Sequence, residues 1–180
     1  MPRCLNIDPL LFHIAEYYDK APRTDPAAAG PYLKLANWIE HQFEKVTDVV
    51  EVWFTQFDPY KNAREMFEEI NACGILRVFS KGNAHPLLSR EQNNRLRAIH
   101  DYFGHYIGEA PFSLGGEVSA WRATDRLTYD PEVSAALTTE FLGQTAWFHY
   151  GPFNYYSPKE RPFPPQKAIL IPRELWTLLI

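Results

Sequence analysis

The sequence predicts an α+β fold, mainly α-helical, in a single domain over residues 1–180, with a small β-sheet and a metal site among the helices. Three observations carry that expectation. Apolar residues recur at helical spacing over most of the chain, while two short runs are β-branched and aromatic instead. Hydrophobic residues make up 46% of the 180 positions, enough for one buried core without disulfide staples.

Taken in order, residues 8–20 place Leu10, Leu11, Ile14, Ala15 and Tyr18 at helix-like spacing that fades before Pro22. Residues 21–30 form a loop rich in proline and alanine, and Pro31 suits the first turn of the next helix. Leu33, Leu35, Trp38, Ile39 and Phe43 continue that helix to about Val46, completing an N-terminal helical part over residues 1–48. Residues 49–57 read as a strand ended by Asp58 and Pro59. Residues 62–72 read as a helix with Met66, Phe67 and Ile70 on one side and Gly74 as its stop. Residues 75–79 are a second strand, so residues 49–180 combine the sheet with the helices of the site.

Ser89-Arg90-Glu91-Gln92 has the form of a capping box. The helix it opens should turn Leu96, Ile99 and Phe103 inward and end or distort near Gly104. A Gly115-Gly116 turn should lead to a helix holding Glu117 and Trp121. From Pro131 a further helix carries Glu140, Gln144 and Trp147 on one face at i, i+4 and i+7. Residues 151–165, rich in proline and aromatics, are expected to form an ordered covering loop, and residues 175–180 a helix or an extended tail.

A net charge of −4 argues against a broad nucleic-acid surface, although Arg95, Arg97 and Arg122 lie close in sequence to the histidines discussed next. The two cysteines, Cys4 and Cys73, have no CxxC spacing and suit a reducing compartment. No apolar run reaches the roughly 18 residues of a membrane span, and the N-terminus lacks a signal-type apolar block. A cytoplasmic protein without membrane contact is expected, its substrate a small molecule or nucleotide.

His100-Asp101-Tyr102-Phe103-Gly104-His105 is the segment that most suggests chemistry. Two neutral imidazoles and one carboxylate can hold a divalent transition metal and leave coordination positions open. On an ideal α-helix five residues advance by about 500°, so the two rings would point roughly 140° apart. Both reach one ion only if the helix widens, kinks or ends between them, and Gly104 tolerates unusual backbone angles. The alternative is that His100 packs in the core while His105 bonds carbonyls at a helix end. For the third ligand, Glu117 and Glu140 both qualify. Glu117 could instead be a first-turn acid offsetting the helix dipole, and Glu140 could pair with an arginine. Whichever glutamate is not the ligand can orient a histidine. Asp101 is the candidate base, and Gln144, Trp121, Trp147 and His149 are candidate pocket residues. His85, before Pro86, reads as a turn residue, and His13 and His41 fall in ordinary helices.

The HxxxxH spacing does not match the HExxH signature of zinc peptidases. It resembles the His-Glu-Leu-Leu-Gly-His segment of the pterin-dependent aromatic amino acid hydroxylases, whose Thr-Val-Glu-Phe-Gly stretch resembles Thr138 to Gly143 here. That resemblance, over residues 100–143, implies a ferrous ion held by His100, His105 and Glu140, with Asp101 beside it. Outside the stretch the chain is shorter than the hydroxylase domain and carries no recognisable pterin-binding segment. A second resemblance, to an uncharacterised group of phage and bacterial proteins, runs from residue 58 onward. Its carriers are Asp58-Pro59-Tyr60, Gly74 to Val78, His85 to Leu88, Arg97 to His105, Gly116 to Trp121 and Thr139 to Gln144. It implies a common fold and supplies no reaction. The expectation is a mononuclear non-haem Fe(II) oxidoreductase of oxygenase or hydroxylase type, with Fe(II) favoured over Zn(II). The alternatives are a Zn(II) hydrolase on the same ligands and a non-enzymatic, phage-associated or regulatory binding module.

Overall fold

The ends of the helices are set by local chemistry that can be named residue by residue. In the computed structural model, which describes residues 8–82 and 84–180, α1 spans Asp8–Lys20. The carbonyls of Tyr18, Asp19 and Ala21, at its C-terminal end, accept from Lys167 Nζ at 2.6, 3.0 and 2.6 Å. An ammonium there satisfies orphan carbonyls and complements the helix dipole. A short 3-10 turn, capped by Asp25, leads into α2 (Ala29–Thr47), which begins just before Pro31.

Strand β1 (Glu51–Thr55) is shorter than the run that suggested it. Helix α3 (Ala63–Cys73) starts at Asn62, whose side chain accepts from the Glu65 amide, and stops at Gly74 with φ 66°, a left-handed conformation that glycine adopts without steric cost. Strand β2 (Ile75–Phe79) then pairs parallel with β1, Glu51 opposite Ile75 through Thr55 opposite Phe79. Parallel neighbours need a crossover, and α3 is that crossover.

Helix α4 (Arg90–Ile99) opens on the capping box, with Ser89 accepting from the Gln92 amide and Gln92 from the Ser89 amide. Beyond Ile99 the winding distorts, as expected around Gly104. The chain runs on through a π-helical segment, His100–Tyr106, whose wider winding shows in the bonds from Ile107 N to Tyr102 O (2.8 Å) and Ala110 N to His105 O (2.9 Å). Gly115 and Gly116 form no separate turn; they lie in the first turn of α5 (Leu114–Asp125), capped by Ser113. The last long rod comprises α6 (Pro131–Leu137), capped by Asp130, a second π-helical segment (Thr138–Gly143) and α7 (Gln144–Tyr150). Residues 151–165 follow as turns tied down by Arg161, which donates to the carbonyls of Phe148, Asn154 and Tyr156 at 3.0, 2.7 and 3.0 Å. The tail ends in two 3-10 turns, Arg173–Leu175 and Thr177–Leu179.

Helix α2 packs against α4 and α6, α1 against α7, and α5 against the histidine π-segment. Two apolar clusters result. One joins Tyr32, Leu35, Ile39, Met66, Leu76, Leu96 and Leu137; the other joins Leu11, Ile14, Tyr18, Trp121, Trp147 and Trp176. Phe141, in the second π-segment, packs against both. Among the described residues no helix is long and apolar enough to cross a membrane. Cys4 lies outside the described residues, and Cys73 is an exposed free thiol.

Candidate metal centre

The π-segment resolves the angular problem posed by the histidine spacing. With i→i+5 winding, residues five apart come round to the same side, and the rings of His100 and His105 lie 4.9 Å apart, nearly perpendicular. Gly104 acts through its small size. A Cβ there would stand 2.9 Å from both the Ala120 carbonyl oxygen and Thr124 Oγ1. Glycine therefore lets α5 lie close enough to bring Glu117 across both imidazoles. Glu117 Oε2 is 3.5 Å from His100 Nε2 and 3.4 Å from His105 Nε2. Ligand atoms of His100, His105 and Glu117 all fall within 4.8 Å of one another, a group able to hold a metal ion.

The far side of each ring fixes its tautomer. His105 Nδ1 is 2.9 Å from the Ala110 carbonyl oxygen, which can only accept, so Nδ1 carries the proton. Thr124 Oγ1 donates to the Ala120 carbonyl at 2.9 Å, and its lone pair faces His100 Nδ1 at 3.3 Å. Both Nε2 lone pairs then point towards the Glu117 oxygen. Three acceptors facing one point repel each other unless a proton or a cation sits among them. Electrostatics follow that geometry. Burial raises the Glu117 carboxyl, but the two imidazoles outweigh it and hold it down at about 2. Burial lowers His100, and there it prevails over the pull of Glu117. Burial also lowers His105, yet Glu117 and Asp101 together lift that ring above its ordinary value.

The separations suit an ion. Donors bound at about 2.1 Å stand roughly 3.0 Å apart at a right angle and about 3.4 Å apart at the tetrahedral angle. The ring of His100 is held in place by Phe141, stacked at 3.9 Å and 13°, and Phe112 meets His105 edge-on at 4.9 Å.

Glu140 is not part of this group. It is buried, and its Oε1 accepts from the Tyr32 hydroxyl and from His85 Nε2 at 3.0 Å, while Oε2 accepts from Gln144 Nε2 at 3.0 Å. His85 is a turn residue whose Nδ1 accepts from the amides of Leu87 and Leu88 at 3.1 and 2.9 Å, leaving Nε2 to donate. The carboxylate assigned to the metal by the hydroxylase resemblance is thus engaged by three other donors, and among the described residues no arginine pairs with it.

Beside the triad lies a cavity of about 710 Å³. Asp101, Gln144 and His149 line it, as does Phe148. Burial pushes the Asp101 carboxyl up to about 7, the first cause among several, with His105 opposing it. Trp121 and Trp147 do not line the cavity. Trp121 is fully buried edge-on to Trp176, and the Trp147 indole donates to Asp19 Oδ1 at 2.8 Å within the second apolar cluster. Both tryptophans face the side of their helices that meets α1 and the tail. Arg95 pairs with Glu40 and Glu91, and Arg122 donates to the Leu179 carbonyl. His13 and His41 are exposed and make local contacts, to Glu16 and Asn37 respectively.

No family model, curated protein or solved structure matches the chain. Thr124, Ala110, Phe112 and Phe141 also shape the site, and no motif in the sequence singles them out. Phe141 stood one position beyond the suspected glutamate, but Thr124 and Ala110 bear no signal in the chain, because their role depends on how closely α5 approaches.

Proposed function

We propose that the protein is a mononuclear metalloenzyme in which His100, His105 and Glu117 bind one divalent transition metal. The observation that carries this is the convergence of two oriented Nε2 lone pairs and one carboxylate oxygen on a single point beside a large cavity. Two histidines and a carboxylate on one face of an ion leave positions towards the cavity, the arrangement used by non-haem iron oxygenases. A ferrous ion bound there would supply oxygen activation and redox chemistry to a small-molecule substrate. The protein's own residues do the rest. Ala110 and Thr124 orient the imidazoles, and Phe112 and Phe141 keep water from their flanks. Gln144 and His149 offer polar contacts to the substrate from the cavity wall.

A second reading, a zinc hydrolase, is favoured by two particulars. The 3.4–3.5 Å separations fit a tetrahedral ion, and Asp101 faces the same cavity as a carboxylate available to accept a proton from water. Metal analysis of protein purified without chelators separates the readings. One equivalent of iron with oxygen-dependent turnover supports the first, and zinc with hydrolytic turnover the second. Absence of a stoichiometric metal, or metal retained in full by both His100→Ala and Glu117→Ala, would overturn the metalloenzyme and leave a binding module.

A further inference from the structure

We propose that Arg97 binds the anionic head group, a carboxylate or a phosphate, of an apolar substrate that reaches the metal centre; this rests on the metalloenzyme reading above. Arg97 precedes His100 by three residues on α4, about 4.5 Å along the axis and on the same face. Its Nη1 donates to the carbonyls of Phe79 (2.9 Å) and Lys81 (3.1 Å) at the end of β2. Those two bonds fix the guanidinium plane. They also leave Nε and Nη2, the other edge of the fork, without an acceptor among the described residues.

The obvious partner would be Asp101, one turn onward, yet the two form no ion pair, and Arg97 pairs with no other carboxylate among the described residues. Arg97 and Asp101 instead line the same cavity as His100. The other arginine on that wall, Arg77, is already paired with Glu69. Burial works against the Arg97 charge and lowers its pKa; Asp101 and Glu140 offset this only in part, and neither is in contact with the guanidinium. A planar guanidinium held by one edge presents two parallel donors, the match for a carboxylate or phosphate. Phe79, Phe141, Phe148 and Phe163 also line the cavity, beside the carboxylates of Asp58, Asp101 and Glu117, and would receive an apolar body. Head group on Arg97 and reacting carbon at the triad then fit one small molecule.

The test uses the zinc-loaded full chain with three probes of one length: hexanoate, hexyl phosphate and uncharged hexanol. Binding is followed by calorimetry and by the NMR signal of the Arg97 Nε–H. We expect at least one anion to move that signal and to bind about tenfold or more weakly to Arg97→Met, with Arg97→Lys between and hexanol unaffected. The tighter of the two anions identifies the head group. The proposal is overturned if neither anion moves the Arg97 signal, or if Arg97→Met binds both as tightly as the wild type. Because Arg97→Met removes the bonds to the Phe79 and Lys81 carbonyls, the wild-type NMR arm stands without any variant. Repeating the titration after chelation keeps the two readings apart. Loss of the metal centre would show as absent metal while anion binding through Arg97 persists, and failure of the present inference as bound metal with anion binding indifferent to Arg97.

Discussion

Replacing Gly104 by alanine sets two physical effects against each other, and the sign of the outcome tells which role the glycine plays. Gly104 lies inside the histidine π-segment and does not have a positive φ, so backbone conformation alone favours alanine, by about 1 kcal/mol. Packing opposes it. The new Cβ would meet the Ala120 carbonyl oxygen and Thr124 Oγ1 at 2.9 Å and the Ala120 Cβ at 3.1 Å. Two of those three atoms belong to Ala120 and one of them is backbone, so α5 itself must move. Overpacking of this kind costs about 1–3 kcal/mol, and with one of the two closest contacts on backbone we take the upper half. The expected balance is a loss of about 1–2 kcal/mol, or roughly 2–8 °C in Tm for a chain of this length. Moving α5 also shifts Thr124 and Glu117, so metal affinity should fall by about tenfold or more. Gly115→Ala, in the first turn of α5, is the control, with nothing within 4 Å of the added methyl. It should gain about 0.5–1 kcal/mol and leave metal affinity alone. Thermal melts and competition with a chelator measure both quantities. If Gly104→Ala proved as stable as the wild type and held metal equally well, the close approach of α5 would not be what builds the site.

Three further outcomes are expected. Thr124→Val removes the acceptor behind His100 Nδ1 and should weaken metal binding about 10- to 100-fold in chelator competition while the fold persists. Glu140→Gln should keep full metal stoichiometry by elemental analysis but lose about 1–3 kcal/mol in denaturant melts, because an amide cannot serve the Tyr32, His85 and Gln144 donors together. Metal affinity should drop with acidification. His105 is raised above its ordinary value, so as pH falls through that raised value a proton occupies the Nε2 position the metal needs. Affinity should be flat above that pH and decline by about tenfold per unit for each proton displaced below it, measured by titration at several pH values.

Much of the fold could be read along the chain because its boundaries are local. The Ser89–Gln92 box, the left-handed Gly74 and the strand at residues 75–79 each depend on residues within a few positions of one another. The readings that shifted depended on neighbours distant in sequence. Val49 and Phe57 look strand-like, but β2 offers only five partners, so β1 stops at Glu51 and Thr55. Gly115-Gly116 looks like a turn, yet a Cβ on Gly116 would lie 1.8 Å from the Pro111 carbonyl oxygen, so the second glycine serves a close chain approach inside α5. Trp121 and Trp147 carry the composition of a pocket wall, and only the position of α1 and of the tail shows that both are core.

The site illustrates the same limit more sharply. HxxxxH could be seen as a metal pattern only by admitting a widened helix, and the choice of glutamate turned on which helix comes near the widened part. Glu140 has the better local setting, an apolar stretch that demands a partner for a buried carboxylate, and the demand is real. Tyr32, His85 and Gln144 answer it, two of them from more than 50 residues away. Glu117 looks like an ordinary first-turn acid, and it is also that. What makes it a ligand candidate is Gly104, which removes the methyl that would hold α5 off. A protein bearing Gly104→Ala and Glu117 intact should therefore resemble Glu117→Ala in metal binding more than it resembles the wild type. The reverse result would mean that the glutamate reaches the imidazoles by its own length and that helix spacing is incidental.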